Sequence, residues 1–178
     1  MTTRKPNKFL DLFKGGDRRS IGKSNEVVPL INSQEKFDQL IAGLSDSDRR
    51  VVMRTADAVE KITVRHREYL EKHKKTILDL CRTANEIELK WHLAQLVSRL
   101  QLNKREFEKT WALLTAWAKD STESKIVRVF SIQALYDILQ RRPVFSRDFT
   151  RTISIMEKED IPSINSRIKK LRKAGIPK

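Results

Sequence analysis

The sequence predicts an all-α fold: a right-handed α-α superhelix of about four stacked helix pairs. Five Gly and five Pro in 178 residues are too few for a turn-rich sandwich or barrel. An apolar fraction of 39% beside 34% charged residues suits amphipathic helices with a large solvated surface. One segment also recurs four times at nearly constant spacing, the signature of a repeat architecture.

The stretch Val51 to Ile62 aligns with Leu89 to Leu100 at an offset of 38, with Val127 to Ile138 at 38 more, and with Ile164 to Leu171 at 37 more. Its apolar columns are Val51, Leu89, Val127 and Ile164; then Ala58, Leu96, Ala134 and Leu171; then Ile62, Leu100 and Ile138. These intervals fall on one face of a helix. Second helices are therefore expected near 49–63, 86–100, 125–140 and 162–173. Between them stand other amphipathic runs: Phe37, Leu40, Ile41 and Leu44; Ile77, Leu78 and Cys81; Phe107, Trp111, Leu114 and Trp117; Phe149, Ile153 and Met156. Each unit is thus a helix pair that buries its apolar stripes against neighbouring pairs. Ser45-Asp46-Ser47-Asp48 offers an N-cap before Arg49, and Ser121 to Ser124 offers one before Lys125. Pro143 and Pro162 are expected outside the helical runs. Residues 31–178 form the repeat domain, preceded by a basic segment, 1–30, that is partly ordered or flexible. Within that segment, the apolar patch at 8–13 is expected to fold back over the first repeat.

The formal net charge is +14. Residues 1–30 carry seven basic and three acidic side chains, and residues 141–178 carry eleven and four. Eleven of the fourteen charges thus belong to the ends, and the middle is nearly balanced. Cys81 is the sole cysteine, so neither an internal disulfide nor a cysteine-based zinc site is available, and a reducing, cytoplasmic setting is expected. No run approaches 18 apolar residues, so no membrane span is expected.

The second-helix pattern resembles that of HEAT-like repeat proteins, Val-Arg-x-x-Ala-x-x-Ala-Leu, with the closest copy at Ile126 to Leu135. The resemblance covers about residues 33 to 173. More narrowly, the chain is similar to small bacterial HEAT repeat proteins through Gly-Gly-Asp-Arg-Arg-Ser-Ile-Gly at 15–22 and Trp91-His92-Leu93-Ala94-Gln95. The resemblance implies architecture, and a concave binding face lined by second helices. Taken at positions four, seven and eleven of each copy, that face reads Arg54, Asp57 and Lys61; His92, Gln95 and Arg99; Phe130, Gln133 and Asp137; and Arg167 and Lys170. Trp91 sits one column before this ribbon. Its mixed signs and amides suit a polypeptide better than a phosphate track. Exposed helix faces also carry mixed charge for solubility alone.

The expected function is therefore a non-catalytic scaffold that binds another protein or peptide, with no cofactor and no metal, most simply as a monomer. The alternative is nucleic-acid binding by the basic ends, with Arg18, Arg19, Arg167, Lys169, Lys170, Arg172 and Lys173 as the anion contacts. A related enzymatic rival is the HEAT-like DNA alkylation repair glycosylases, which use a cationic face, exposed aromatics and one carboxylate; Asp57 near Trp91 would have to imitate it. The stretch 16–24 imitates a phosphate loop, but five residues rather than four separate its glycines. His66, His73 and His92 form no metal-ligand spacing. Cys81, Trp111 and Trp117 read as core.

Overall fold

The computed structural model describes residues 7–17 and 21–176. Among these residues every regular element is helical. The chain divides into two compact units, residues 1–72 and 73–178. The boundary falls inside the repeat region. Repeats contact mainly their neighbours, so a cut between pairs severs few interactions.

The first unit holds α1 (Lys8–Asp11), α2 (Ser24–Val27), α3 (Gln34–Ile41) and α4 (Arg49–Thr63). Asp48 opens α4, its carboxylate accepting from the Arg50 amide at 2.9 Å. The Arg50 side chain donates to the same carboxylate and holds it down to about 2. Val51, Ala58, Val59 and Ile62 then form one buried stripe. Ser33 caps α3, which buries Phe37, Leu40 and Ile41. The apolar patch does fold back: α1 packs on α3, and Phe9, Leu10 and Phe13 are buried. Gly43 is needed for that approach, since an added Cβ would stand 2.5 Å from Leu10 Cδ2 and 2.3 Å from Thr55 Oγ1.

The second unit holds α5 (Lys74–Thr83), α6 (Ile87–Arg99), α7 (Lys104–Lys119), α8 (Lys125–Leu139), α9 (Ser146–Glu157) and α10 (Pro162–Ala174). They pair as α5/α6, α7/α8 and α9/α10. The second helices pack in series, α6 on α8 and α8 on α10, while α7 packs on α9. All the repeat columns named above are buried. Each large aliphatic side chain there contributes about 1.5–3 kcal/mol.

Local chemistry fixes the ends. Asn103 and Glu106 form a reciprocal capping box at the start of α7, both bonds at 2.9 Å. Ser124 occupies the N-cap position of α8, but its hydroxyl makes no cap bond. Pro162 stands in the first turn of α10 rather than outside it, where its missing N–H has no intrahelical partner to lose. The motif arginine, Arg128, is buried; it donates to Ala118 O at the end of α7 (2.9 Å) and to Glu159 (2.6 Å).

Candidate functional site

In the first unit the second-helix columns are not open to solvent. Arg54, expected on the exposed ribbon, is only 2% exposed. Its guanidinium donates to three main-chain carbonyls of the chain's own N-terminal segment: Phe13 at 2.5 Å, Gly15 at 2.6 Å and Asp17 at 2.7 Å. Gly15, Gly16 and Gly22 all adopt positive φ, which lets the segment curl around the guanidinium. A Cβ on Gly22 would meet Arg54 Nε at 2.7 Å.

Asp57 is corrected in the same way. It is buried, accepts from the Ser24 hydroxyl, and pairs with Lys61 at 2.6 Å. Lys61 reaches on to Asn25 Oδ1 at 2.7 Å. These three columns therefore hold Phe13, Gly15 and Asp17 on one side and Ser24 and Asn25 on the other. A loop that turns carbonyls inward binds a cation, whereas a phosphate loop turns amide protons inward. The glycine-rich stretch is thus an arginine cradle. Arg18 and Arg19 lie outside the described residues.

The second unit presents the corresponding columns on α6, α8 and α10. His92 is also corrected: it is 2% exposed, with Trp91 stacked on it at 3.6 Å between ring centroids. Trp91 is half-buried and stacks on Phe130 at 5.0 Å, so the two rings bridge α6 and α8. Arg99, Gln95, Gln133 and Arg167 are half-buried, and Asp137 and Lys170 are exposed. Gln133 is a junction, donating to Asp137 at 2.8 Å and accepting from Arg167 at 2.7 Å. Crowding by neighbouring atoms raises the Asp137 carboxyl above the usual range even though the residue touches solvent. The Gln133 bond and the charges of Arg141, Arg99 and Arg167 oppose that rise. The result is an aromatic pair at one end and a cation-rich amide cluster at the other.

On α10, Lys169, Lys170 and Lys173 are exposed, and Arg172 is engaged with Glu157 at 2.7 Å. Cys81 is buried, and burial pushes its thiol up to about 12. Trp111 and Trp117 are buried in α7, the former donating to Asp148 at 2.6 Å. Among the described residues no group of three or more His, Cys, Asp or Glu side chains could hold a metal ion. Among the same residues no helix is long and apolar enough to cross a membrane.

Sequence reasoning missed that the ribbon is occupied in the first unit. The signal was present as three glycines within eight residues upstream of a helix whose inward column is Arg-x-x-Asp-x-x-x-Lys. The sequence matches the HEAT repeat domain family over residues 16–174. That span takes in Asp17 and Gly22 of the cradle loop and begins just after Phe13 and Gly15. No curated protein and no solved structure matches the chain.

Proposed function

The chain belongs to the HEAT repeat family, and on that premise we propose that it is a non-catalytic module that binds a polypeptide segment of another protein through the second-helix face of α6, α8 and α10. The observation that carries this reading is the occupant of α4. There the same repeat columns already hold a stretch of irregular chain, through guanidinium-to-carbonyl bonds and short side-chain bonds. The second unit offers equivalent chemistry on half-exposed residues. Arg99 and Arg167 can donate to carbonyls or carboxylates. Gln95 and Gln133 can pair with main-chain amides. The Trp91–Phe130 stack offers a flat apolar platform for an aromatic or proline side chain. The Nε2 of Gln95 is shielded from water and has no acceptor among the described residues. A buried donor without a partner costs about 1–3 kcal/mol, which a ligand carbonyl recovers once the side chain turns outward.

A glycosylase role receives no support from Asp57, whose carboxylate is bound to Ser24 and Lys61. A cytoplasmic setting is part of the reading, supported by the single thiol. Nucleic-acid binding is the second reading, favoured by the exposed Lys169, Lys170 and Lys173 on α10.

The test is affinity capture from cell extract with the intact chain and with a Trp91→Ala/Gln95→Ala/Arg167→Ala variant, with nuclease present. A partner protein that is captured directly by the intact chain and lost by a variant of unchanged melting temperature supports the proposal. Partners retained by the variant overturn it. Capture that disappears with nuclease and weakens steeply with salt favours the nucleic-acid reading instead.

A further inference from the structure

A second surface lies on the first helices of the second unit, away from the residues used above. α5 packs on α6, and α7 packs on α8 and α9. Between α5 and α7 runs a groove of about 920 Å³. Its apolar lining includes Leu78, Ala112 and Leu113, all at least partly exposed. Leu78 matters most, because the repeat period assigns it to a first-helix apolar stripe, yet nothing among the described residues covers it fully.

The charge around that apolar strip is one-sided. The two acids lining the groove are both paired within it, Asp79 with Arg82 at 2.5 Å and Glu106 with Lys74 at 3.2 Å. Glu106 is additionally bound into the α7 capping box, which with Lys74 holds its carboxyl below the usual range. Lys75, Arg105 and Lys109 are exposed and make no ion pair among the described residues. An apolar floor between uncompensated cations complements one kind of object: a helix with an apolar stripe flanked by carboxylates.

From these observations we infer that the α5/α7 groove is a docking site for an acidic amphipathic helix of a partner protein. α5 has 10 residues, about 15 Å of helix, so the occupant spans about three turns. Its apolar residues recur at i, i+3, i+4 and i+7 and rest on Leu78, Ala112 and Leu113. Its Asp and Glu side chains reach Lys75 from one flank and Arg105 and Lys109 from the other. The site does not depend on the second-helix reading, and the two surfaces can fail separately.

The probe is a fluorescein-labelled synthetic peptide of about 14 residues, with Leu at that helical spacing and Glu and Ala elsewhere, titrated into the full chain at low salt and followed by anisotropy. Saturable binding is expected, weakened about tenfold by Lys75→Glu/Arg105→Glu/Lys109→Glu. An equal change of charge elsewhere, Lys119→Glu/Arg151→Glu/Lys158→Glu, is expected to alter it less than about twofold. Amide exchange of the complex should show new protection confined to α5 and α7. No saturation up to about 1 mM peptide overturns the inference. So does equal weakening by both triple variants, or loss of binding in the Trp91→Ala/Gln95→Ala/Arg167→Ala variant with retention in the groove variant.

Discussion

Replacing Arg54 by Ala should detach the N-terminal segment from α4 while leaving the second unit folded. Three carbonyls, of Phe13, Gly15 and Asp17, lose a charged donor at 2.5–2.7 Å. If they stayed buried, each would cost about 1–3 kcal/mol. They can instead hydrate if the segment lifts, so the loss is bounded by what else holds it there. The buried side chains of Phe13 and Val27 supply about 1.5–3 kcal/mol each. The first route costs about 3–9 kcal/mol and the second about 3–6, so the cheaper one limits the loss for the first unit to about 3–6 kcal/mol. Urea unfolding measures the total, and amide exchange across residues 7–17 and 21–27 locates it. Arg54→Lys should recover only part, because an ammonium lacks the planar fork that reaches three carbonyls at once. A loss below about 1 kcal/mol in Arg54→Ala, with exchange over those residues unchanged, would refute the cradle.

Gly22→Ala should cost about 1–3 kcal/mol in a thermal melt, since φ is +54° and the new Cβ meets Arg54 Nε at 2.7 Å; Gly15→Ala, where nothing stands within 4 Å, should lose only the left-handed backbone term of about 1 kcal/mol. Arg128→Met should destabilise by about 1–3 kcal/mol in urea, because it leaves the Ala118 carbonyl without its buried donor, whereas the exposed Glu159 can hydrate. Glu159 is held below its usual range by the Arg128 hydrogen bond, so its contribution is present above about pH 4.3 and fades as pH falls; the stability gap between the parent chain and Glu159→Gln should therefore close below that pH. Cys81, with its thiol near 12, should be about one ten-thousandth thiolate at pH 8 and should react with Ellman's reagent only on unfolding; rapid modification of the native chain would contradict its burial.

The repeat was legible because burial and helical period act on the same residues. Val51, Leu89, Val127 and Ile164 are apolar for one reason, the inter-pair core, and offsets of 38, 38 and 37 recover all four. Asp48 was legible as a cap because an Asx residue before a periodic run has few other uses. The ribbon was legible as a set of columns but not as a surface. A helical wheel tells which side of α4 Arg54 occupies; it does not tell that Phe13, Gly15, Asp17 and Gly22 return to cover it. That contact spans about forty positions and depends on three positive-φ glycines, whose conformation leaves no periodic trace. The groove was illegible for the opposite reason. Leu78 has the right spacing for core, and only the placement of α7 leaves it partly uncovered.

The net charge of +14 invited a search for phosphate, yet the arginines the fold uses most are bound to carbonyls. Arg54 serves residues 13–17, Arg128 serves Ala118, and Arg141 serves Ser98 and Leu100. Such bonds satisfy the donors without cancelling the charge. They also explain why Arg rather than Lys stands at these places, since a planar fork can span two or three carbonyls at the end of a helix or in a loop. The lysines behave differently: Lys75 and Lys109 at the α5/α7 groove and Lys169, Lys170 and Lys173 on α10 stand out in solvent. A partner that reads charge on the outer face of α10 meets Lys169, Lys170 and Lys173, whose compact ammonium groups favour flexible carboxylates over a fixed bidentate geometry.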